Sequence, residues 1–337
     1  MTAANDPLVL LNAARPWGEA GPVEVARVAS KAGLDGVGLA DSPLLFADPL
    51  MSTDRVLAET DLSVAGPCVL SLGLREPSSV AGALRTLADR HAGRVVCFVG
   101  RGESSVRNAG LPVPSLRDHL ASVQRLVELT TDVAVPVVGA ASGPRTIART
   151  SEALPAVMLD VGVDPRTVAH AAAIARQARP DVDIWLFVRA AITGDDAQAA
   201  AAAAPVLGSC AARLAAAPEF YGLSEEQHAL AVRVAAAHDY RRHGTREASS
   251  VELSSAEEAE VRSRFLASGT ANEVAAAFAA LAPVGVAGVV LAGAVSGVMD
   301  GLPDLAGAVR AGLTAANRDR LASPVSDGVA PNSGGVV

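Results

Sequence analysis

DLSVAGPCVLSLGLREPSSVAGALRTLADRHAGRVVCFVG, residues 61–100, contains two apolar runs separated by an amphipathic segment. The runs at 62–71 and 94–100 are rich in Val, Leu and Cys, and 77–91 carries apolar residues at helical spacing. Continuous apolar runs of this kind are typical of parallel strands buried on both faces. The stretch therefore predicts a strand, a helix and a second strand that lies parallel to the first.

The same pattern repeats along most of the chain. Six further apolar runs, nearly all separated by predicted helices, lie at 7–12, 35–41, 135–142, 156–162, 182–192 and 286–293. Eight strand–helix units favour an α/β fold of the TIM (β/α)8 barrel type. A doubly wound parallel sheet is the alternative. Between the seventh and eighth strands, residues 194–282 predict a helical insertion.

Composition limits the classes of protein that fit this pattern. The 337 residues are 50% hydrophobic but only 3% aromatic, so we predict a core of Ala, Val and Leu. We expect one domain over 1–316 and a disordered tail over 317–337, where Ser, Gly and Pro accumulate. A net charge of −8 argues against nucleic acid as a partner.

The sequence also predicts where the protein resides. The N-terminus has no basic segment followed by a long apolar one, so we expect no signal peptide. The apolar run at 284–299 is too short and too rich in glycine for a membrane span. Cys68, Cys97 and Cys210 have no paired spacing, which favours reduced thiols. A cytoplasmic protein with no membrane contact is expected.

Polar residues at the ends of the predicted strands are the first candidates for a site, because a TIM barrel places its active site there. They are Asp41, Ser42, Cys68, Ser71, Arg75, Gly100 to Glu103, Ser142 to Arg145, Asp160, Asp164 and Arg189. The histidines form no metal-binding pattern, so no metal site is expected. Lys31, the single lysine, does not follow a strand, which argues against Schiff-base chemistry.

Two turns have specific patterns. AASGPRTIA, residues 140–148, is typical of a helix N-terminus whose free N–H groups bind phosphate, with Arg145 adding charge. The alternative is an ordinary helix capped by Ser142. In VGRGES, residues 99–104, two glycines would let the backbone approach a flat ligand, and Glu103 could exchange a proton. A solvated turn is the alternative.

Several segments together resemble the bacterial luciferase-like superfamily, in its branch that uses the deazaflavin coenzyme F420. The similar segments are EVARVASKAGLDGVGLADS, the stretch from residue 61 to VGRGES, VPVVGAASGPRTIA, HDYRRHG and FLASGTANEVAAAFAALAPVGVAGVVL. They extend over roughly 8–315. The resemblance implies a TIM barrel with the deazaflavin across the C-terminal ends of the strands.

The resemblance also assigns residues to the cofactor. It implies a cis peptide bond between Cys68 and Val69, which forms a bulge behind the ring, and phosphate contacts at Ser142, Gly143 and Arg145. The remaining residues assigned to cofactor binding are Asp41, Ser71, Gly100, Gly102 and Ala140. Glu103 corresponds to an acid near the reacting carbon and is the predicted catalytic proton carrier.

One position departs from the family pattern. The deazaflavin dehydrogenases carry a catalytic His after the strand-two Asp and a Trp four residues later, where this chain has Ser42 and Phe46. A hydroxyl orients a substrate but is a poor base near neutral pH. Ser42 is therefore the second predicted catalytic residue, and reduction of a C=C or C=N bond is favoured over alcohol oxidation.

The alternatives are a monooxygenase of the same fold that uses FMN, and a catalytically silent ligand-binding relative. We expect a small-molecule substrate, and the family implies a homodimer. The insertion offers Tyr240, Arg241, Arg242 and His243 on the substrate side, although a solvated helix end explains these residues equally well.

Overall fold

A computed structural model describes residues 6–14, 21–242, 248 and 251–322, with side chains described up to 314. The strands are β1 (Leu8–Ala13), β2 (Gly36–Leu39), β3 (Val64–Pro67), β4 (Leu70–Ser71), β5 (Cys97–Gly100), β6 (Val137–Ala141), β7 (Ala156–Leu159), β8 (Asp183–Ile192), β9 (Leu266–Gly269) and β10 (Val286–Ala292). They pair in parallel in the order β3-β2-β1-β10-β8-β7-β6-β5-β4.

This order closes into the predicted TIM barrel because β3 and β4 together fill one of its eight strand positions. Each such position is called a stave below. β3 pairs with β2, β4 pairs with β5, and a bridge between Ala65 and Val95 joins β3 to the chain before β5. The predicted run at 62–71 is therefore divided in two. The peptide bond between the halves, Cys68–Val69, is cis, as the resemblance implies.

Helices alternate with the strands. They are α1 (Pro22–Lys31), α2 (Pro49–Glu59), α3 (Pro77–Arg90), α4 (Glu103–Asn108), α5 (Leu116–Leu129), α6 (Pro144–Ala153), α7 (Pro165–Ala178), α8 (Asp196–Ala203), α9 (Leu207–Ala216), α10 (Glu225–Ala236), α11 (Ser255–Phe265), α12 (Ala271–Leu281) and α13 (Leu302–Ala322). Proline at the first position starts five of them, α1, α2, α3, α6 and α7, where its missing N–H costs nothing.

Two features differ from the sequence-based expectation. The insertion contains a strand, β9, whose residues Leu266 to Gly269 pair with Arg189 to Ile192 of β8. β9 follows α11 directly, with no turn residues between them to separate strand from helix in the sequence. The helix α13 continues to Ala322, past the predicted start of the tail at 317, and residues 323–337 lie outside the described part.

An aromatic pair packs among the aliphatic side chains of a buried cluster, despite the low aromatic content. Phe98 and Trp185 meet edge to face with ring centroids 5.2 Å apart. Gly288 lies opposite Trp185 on β10, and a Cβ at this glycine would be 2.3 Å from the indole. A glycine here makes room for the large ring.

His119 makes stability depend on pH. The side chain is buried in α5, and burial, with help from Arg101, lowers its pKa to about 4. A histidine in the unfolded chain has a pKa of about 6.5. Below that pH the unfolded state therefore binds the proton more readily than the folded state does. The stability that neutral His119 supports is full above about 6.5 and is lost progressively as the pH falls toward 4.

We expect this group to reduce the free energy of unfolding by about 2 kcal/mol between pH 7 and pH 5. Urea denaturation at both pH values measures the change. In His119→Leu, the fall in the free energy of unfolding between pH 7 and pH 5 should be smaller by that amount. Substitution of the exposed His170 by Leu should leave this fall as it is in the wild type. Equal losses in all three proteins would contradict the assignment.

Candidate active site

A cavity of about 190 Å³ lies at the C-terminal ends of the strands. Six residues that the sequence assigns to the site line it: Asp41, Ser42, Cys68, Val69, Gly102 and Ala140. They come from four separate strand ends, and the barrel brings them together. Cavity-lining side chains that the sequence did not assign include Asn12, Met158, Phe187 and Val206.

Asp41 fixes the turn after β2. Its unexposed carboxylate accepts hydrogen bonds from Arg75 Nε at 3.0 Å and Nη2 at 2.9 Å, and from the Ser71 N–H at 3.1 Å. Arg75 also pairs with Asp48, which caps α2. With these partners, Asp41 holds the end of β2 against the end of β4 and positions the neighbouring Ser42 in the cavity wall.

The Cys68–Val69 bond forms part of the wall. The Asn12 amide donates to the Cys68 carbonyl at 2.6 Å, which anchors this peptide to β1. Burial raises the pKa of the Cys68 thiol, so the sulfur stays protonated and is not a nucleophile. Val69 packs on Gly100, where an added Cβ would be 2.7 Å from Val69 Cγ1 and 3.4 Å from the Ala140 side chain. Gly100 thus sets how far Val69 extends toward the cavity.

The turn after β5 places Gly102 in the wall and Glu103 outside it. Gly102 has φ of +61°, and a Cβ there would be 2.4 Å from Ser71 Cβ and Oγ. Ser71 is fully buried beneath this turn and donates to the Arg101 carbonyl. Glu103 begins α4 with its side chain 52% exposed and 3.0 Å from Arg101 Nη1. Its neighbours Gly102 and Ser104 line the cavity, whereas the Glu103 carboxylate pairs at its rim.

The predicted phosphate turn leads into α6. Gly143, not Ser142, is the N-cap, and no side chain caps the helix, so the alternative of a Ser142 cap is wrong. The N–H groups of the first turn therefore have no side-chain acceptor. Ser142 and Gly143 are half-buried and Arg145 is exposed, and all three lie beyond the cavity lining. A Cβ at Gly143 would meet nothing within 4 Å.

A buried ion cluster on the opposite wall was missed at the level of sequence. Arg189 Nη1 donates to Asp160 Oδ1 at 2.7 Å, and Arg213 Nη2 donates to Asp160 Oδ2. Burial opposes ionisation of Asp160, but the two guanidinium groups overcome it and lower its pKa. Asp160 and Arg189 stood among the strand-end residues, whereas Arg213 lies in an alanine-rich helix whose pattern indicates packing alone.

The polar residues that the sequence singled out in the insertion lie mostly outside the cavity lining. Tyr240 lines the cavity, whereas Arg241 and Arg242 are exposed and approach Asp239. His243 lies outside the described residues. Among the residues described, no group of His, Cys, Asp or Glu side chains is arranged to hold a metal ion. No single described helix is long and apolar enough to cross a membrane; the bent pair α8 and α9 passes by length and composition only.

Comparison with known proteins gives a match to one protein family. The sequence model of the luciferase-like monooxygenase family matches residues 8–288. No curated protein gives a significant match. Among solved structures, the coenzyme F420-dependent tetrahydromethanopterin reductase from Methanopyrus kandleri is 16% identical, with a TM-score of 0.67 over 91% of this chain and 99% of that one.

Two further structures share the fold. An F420-dependent secondary alcohol dehydrogenase is 15% identical, with a TM-score of 0.67 over 91% of this chain and 99% of the other. The EDTA monooxygenase from Chelativorans sp. BNC1 is 12% identical, with a TM-score of 0.59 over 95% and 99%. At these identities the likeness establishes the barrel but not the cofactor.

Proposed function

The chain belongs to the luciferase-like monooxygenase family, and within this family of oxidoreductases we propose that it transfers a hydride between coenzyme F420 and a small organic substrate. Reduction of a C=C or C=N bond is the proposed direction, because Ser42 replaces the basic histidine of the deazaflavin dehydrogenases. Two of the similar structures are of F420-dependent enzymes, which supports the proposal.

Residues that were assigned to cofactor binding converge on one side of the cavity, and this observation is the main support for the proposal. Asp41, Val69, Gly102 and Ala140 follow four neighbouring staves and line the same space. Gly100 lies behind Val69, and its missing Cβ leaves the space that Val69 occupies. A wall that includes Val69, Gly102 and Ala140 supports the proposal that the deazaflavin ring binds against it.

When bound, the deazaflavin supplies a carbon that gives or takes the hydride. The protein binds and orients. The backbone of Ser142, Gly143 and Arg145, at the uncapped start of α6, is proposed to hold the phosphate, and Val69 to support the ring from behind. Ser42 is proposed to orient the substrate. Glu103 is proposed to give the accompanying proton, which requires its ion pair with Arg101 to open.

Titration with each cofactor tests the proposal. Purified protein should quench the fluorescence of coenzyme F420 saturably and leave FMN unbound. FMN is the competing cofactor because the alternative is an FMN-dependent monooxygenase of this fold, and the family's description and the EDTA monooxygenase both name monooxygenases. Binding of FMN alone would replace the proposal with a flavin monooxygenase, and binding of neither would leave the silent relative.

Gly100→Ala tests the cofactor wall directly. The new Cβ would be 2.7 Å from Val69 Cγ1, and overpacking of this kind costs about 1–3 kcal/mol. If Val69 is displaced toward the ring, the affinity for coenzyme F420 should fall by about 5-fold to 150-fold. The matched control is Gly82→Ala in α3, where an added Cβ meets nothing within 4 Å. Unchanged affinity in Gly100→Ala would place the ring elsewhere.

A further inference from the structure

The cavity has an excess of positive charge on one wall. Its charged lining residues are Asp41, Asp160, Arg189 and Arg213. The charge of Asp41 is balanced by its ion pair with Arg75, a residue outside the cavity lining. On the other wall, however, two arginines share the single carboxylate of Asp160. One positive charge there has no matching anion within the cluster.

The groups beside the cluster do not supply that anion. Cys210 and Tyr221 lie close enough to interact with Arg189 and Arg213, but burial raises the pKa of both side chains, and they stay neutral. Arg264, which donates to the Tyr221 carbonyl, is already paired with Glu260. The excess charge therefore persists at neutral pH.

The two guanidinium groups also retain unused donors. Nε of Arg189 and Nε of Arg213 are buried without a hydrogen-bond partner. The Arg189 side chain is only 4% exposed, and its guanidinium lies 5.3 Å from the Phe187 ring and 5.6 Å from the Phe265 ring. Arg213 is anchored through Nη1 to the Ser209 carbonyl at 2.6 Å. A buried cation without full compensation is costly, so this wall favours an incoming anion.

The position of the cluster separates it from the residues assigned to the cofactor. Those residues follow β2, the stave of β3 and β4, β5 and β6, whereas Asp160 follows β7 and Arg189 lies in β8. In an eight-stave barrel, β7 lies opposite β2. β7 also lies beside β6, but β8 lies opposite the stave of β3 and β4, so Arg189 lies across the cavity from Val69, where a substrate would approach the ring.

We propose that Arg189 and Arg213 bind the carboxylate of a small organic substrate whose apolar body packs on Met158, Phe187 and Val206. This inference rests on the proposed function, because it names the substrate class of the same site. A guanidinium fork matches a carboxylate in shape, and one negative charge balances the excess of one positive charge. The apolar side chains beside the arginines favour an organic acid over a bare inorganic ion.

Calorimetric titration of the full-length protein without cofactor tests the proposal with benzoate, its neutral counterpart benzamide, and inorganic phosphate. Benzoate should bind at least tenfold more tightly than either of the others. Arg213→Gln should lower the benzoate affinity at least tenfold and leave that for benzamide unchanged. Arg233→Gln, which removes an exposed arginine from the same insertion, should bind benzoate as the wild type does.

The variant Asp160→Asn distinguishes binding through the charge of the arginine cluster from a purely structural role of the cluster. Removal of the anion from the cluster should raise the benzoate affinity, and benzoate should raise the Tm of this variant more than that of the wild type. A structural role alone would weaken binding in both cluster variants. Equal affinity for benzoate and benzamide, or preferential binding of phosphate, would overturn the proposal.

Titration of benzoate in the presence of coenzyme F420 distinguishes failure of this inference from failure of the proposed function on which it rests. Benzoate should bind together with coenzyme F420 in the wild type. Displacement of benzoate by the cofactor would assign the arginines to the cofactor and overturn the inference. Benzoate binding without any binding of coenzyme F420 would overturn the proposed function and leave the carboxylate site in place.

Discussion

Asp160→Ala should lower the free energy of unfolding by about 3–5 kcal/mol, because it leaves Arg189 buried and unpaired. The side chains of Arg189 and Asp160 are 4% and 13% exposed, and Arg213 shares the same carboxylate. Truncation to alanine removes the charge partner and opens a space between two cations. The loss is a large fraction of the stability of an ordinary domain.

Chemical denaturation at neutral pH measures this loss. The matched control is Asp132→Ala, which breaks an arginine–carboxylate pair of the same kind with Arg85, where the two side chains are 67% and 47% exposed. Exposed pairs contribute at most about 1 kcal/mol. Similar losses for both variants would show that Asp160 does not hold a desolvated cluster together.

Glu103→Gln should reduce turnover by at least about 100-fold while cofactor affinity stays unchanged, since a positioned acid contributes about 10²–10⁴-fold. The amide keeps the shape of the side chain but cannot donate the acid proton. A panel of activated alkenes and imines, incubated with reduced coenzyme F420, identifies the substrate that the wild type reduces fastest. Recovery of the fluorescence of oxidised coenzyme F420 then reports turnover for each variant.

The control for Glu103→Gln is Glu152→Gln. Glu152 is similarly exposed, pairs with Arg149 at 2.8 Å and lies on α6. Glu152→Gln should leave turnover unchanged, which separates loss of a proton carrier from loss of an exposed ion pair. Turnover equal to the wild type would agree with the exposed, Arg101-paired carboxylate of the structure and would remove Glu103 from the proposed mechanism.

The eight apolar runs that form the barrel were predictable because each follows from local sequence. Buried parallel strands need continuous apolar runs, and five of the helices between them begin with proline. β9 escaped prediction since its four residues follow α11 without a turn, and only pairing with β8 makes them a strand. The division of the third stave at Cys68–Val69 came from the family resemblance rather than from the local pattern.

The candidate site was predictable only in part. Asp41, Ser42 and Cys68 were found because a barrel gathers its strand ends at one mouth, whereas Val69 and Ala140 came from the family resemblance. Glu103 and Arg145 were placed in the correct turns, but the direction of a side chain depends on its neighbours. Arg101 pairs with Glu103 at the rim, and Arg145 is exposed.

By itself, the sequence determined the order of strands and helices, and hence the barrel and the end at which its polar residues gather. Periodicity and capping act between residues close in the chain, so they can be read locally. Only the tertiary structure decided that Arg213, in an alanine-rich helix, meets Asp160 and Arg189 across 53 and 24 positions of sequence. Burial makes that contact matter, because charges removed from water must find partners wherever the fold places them.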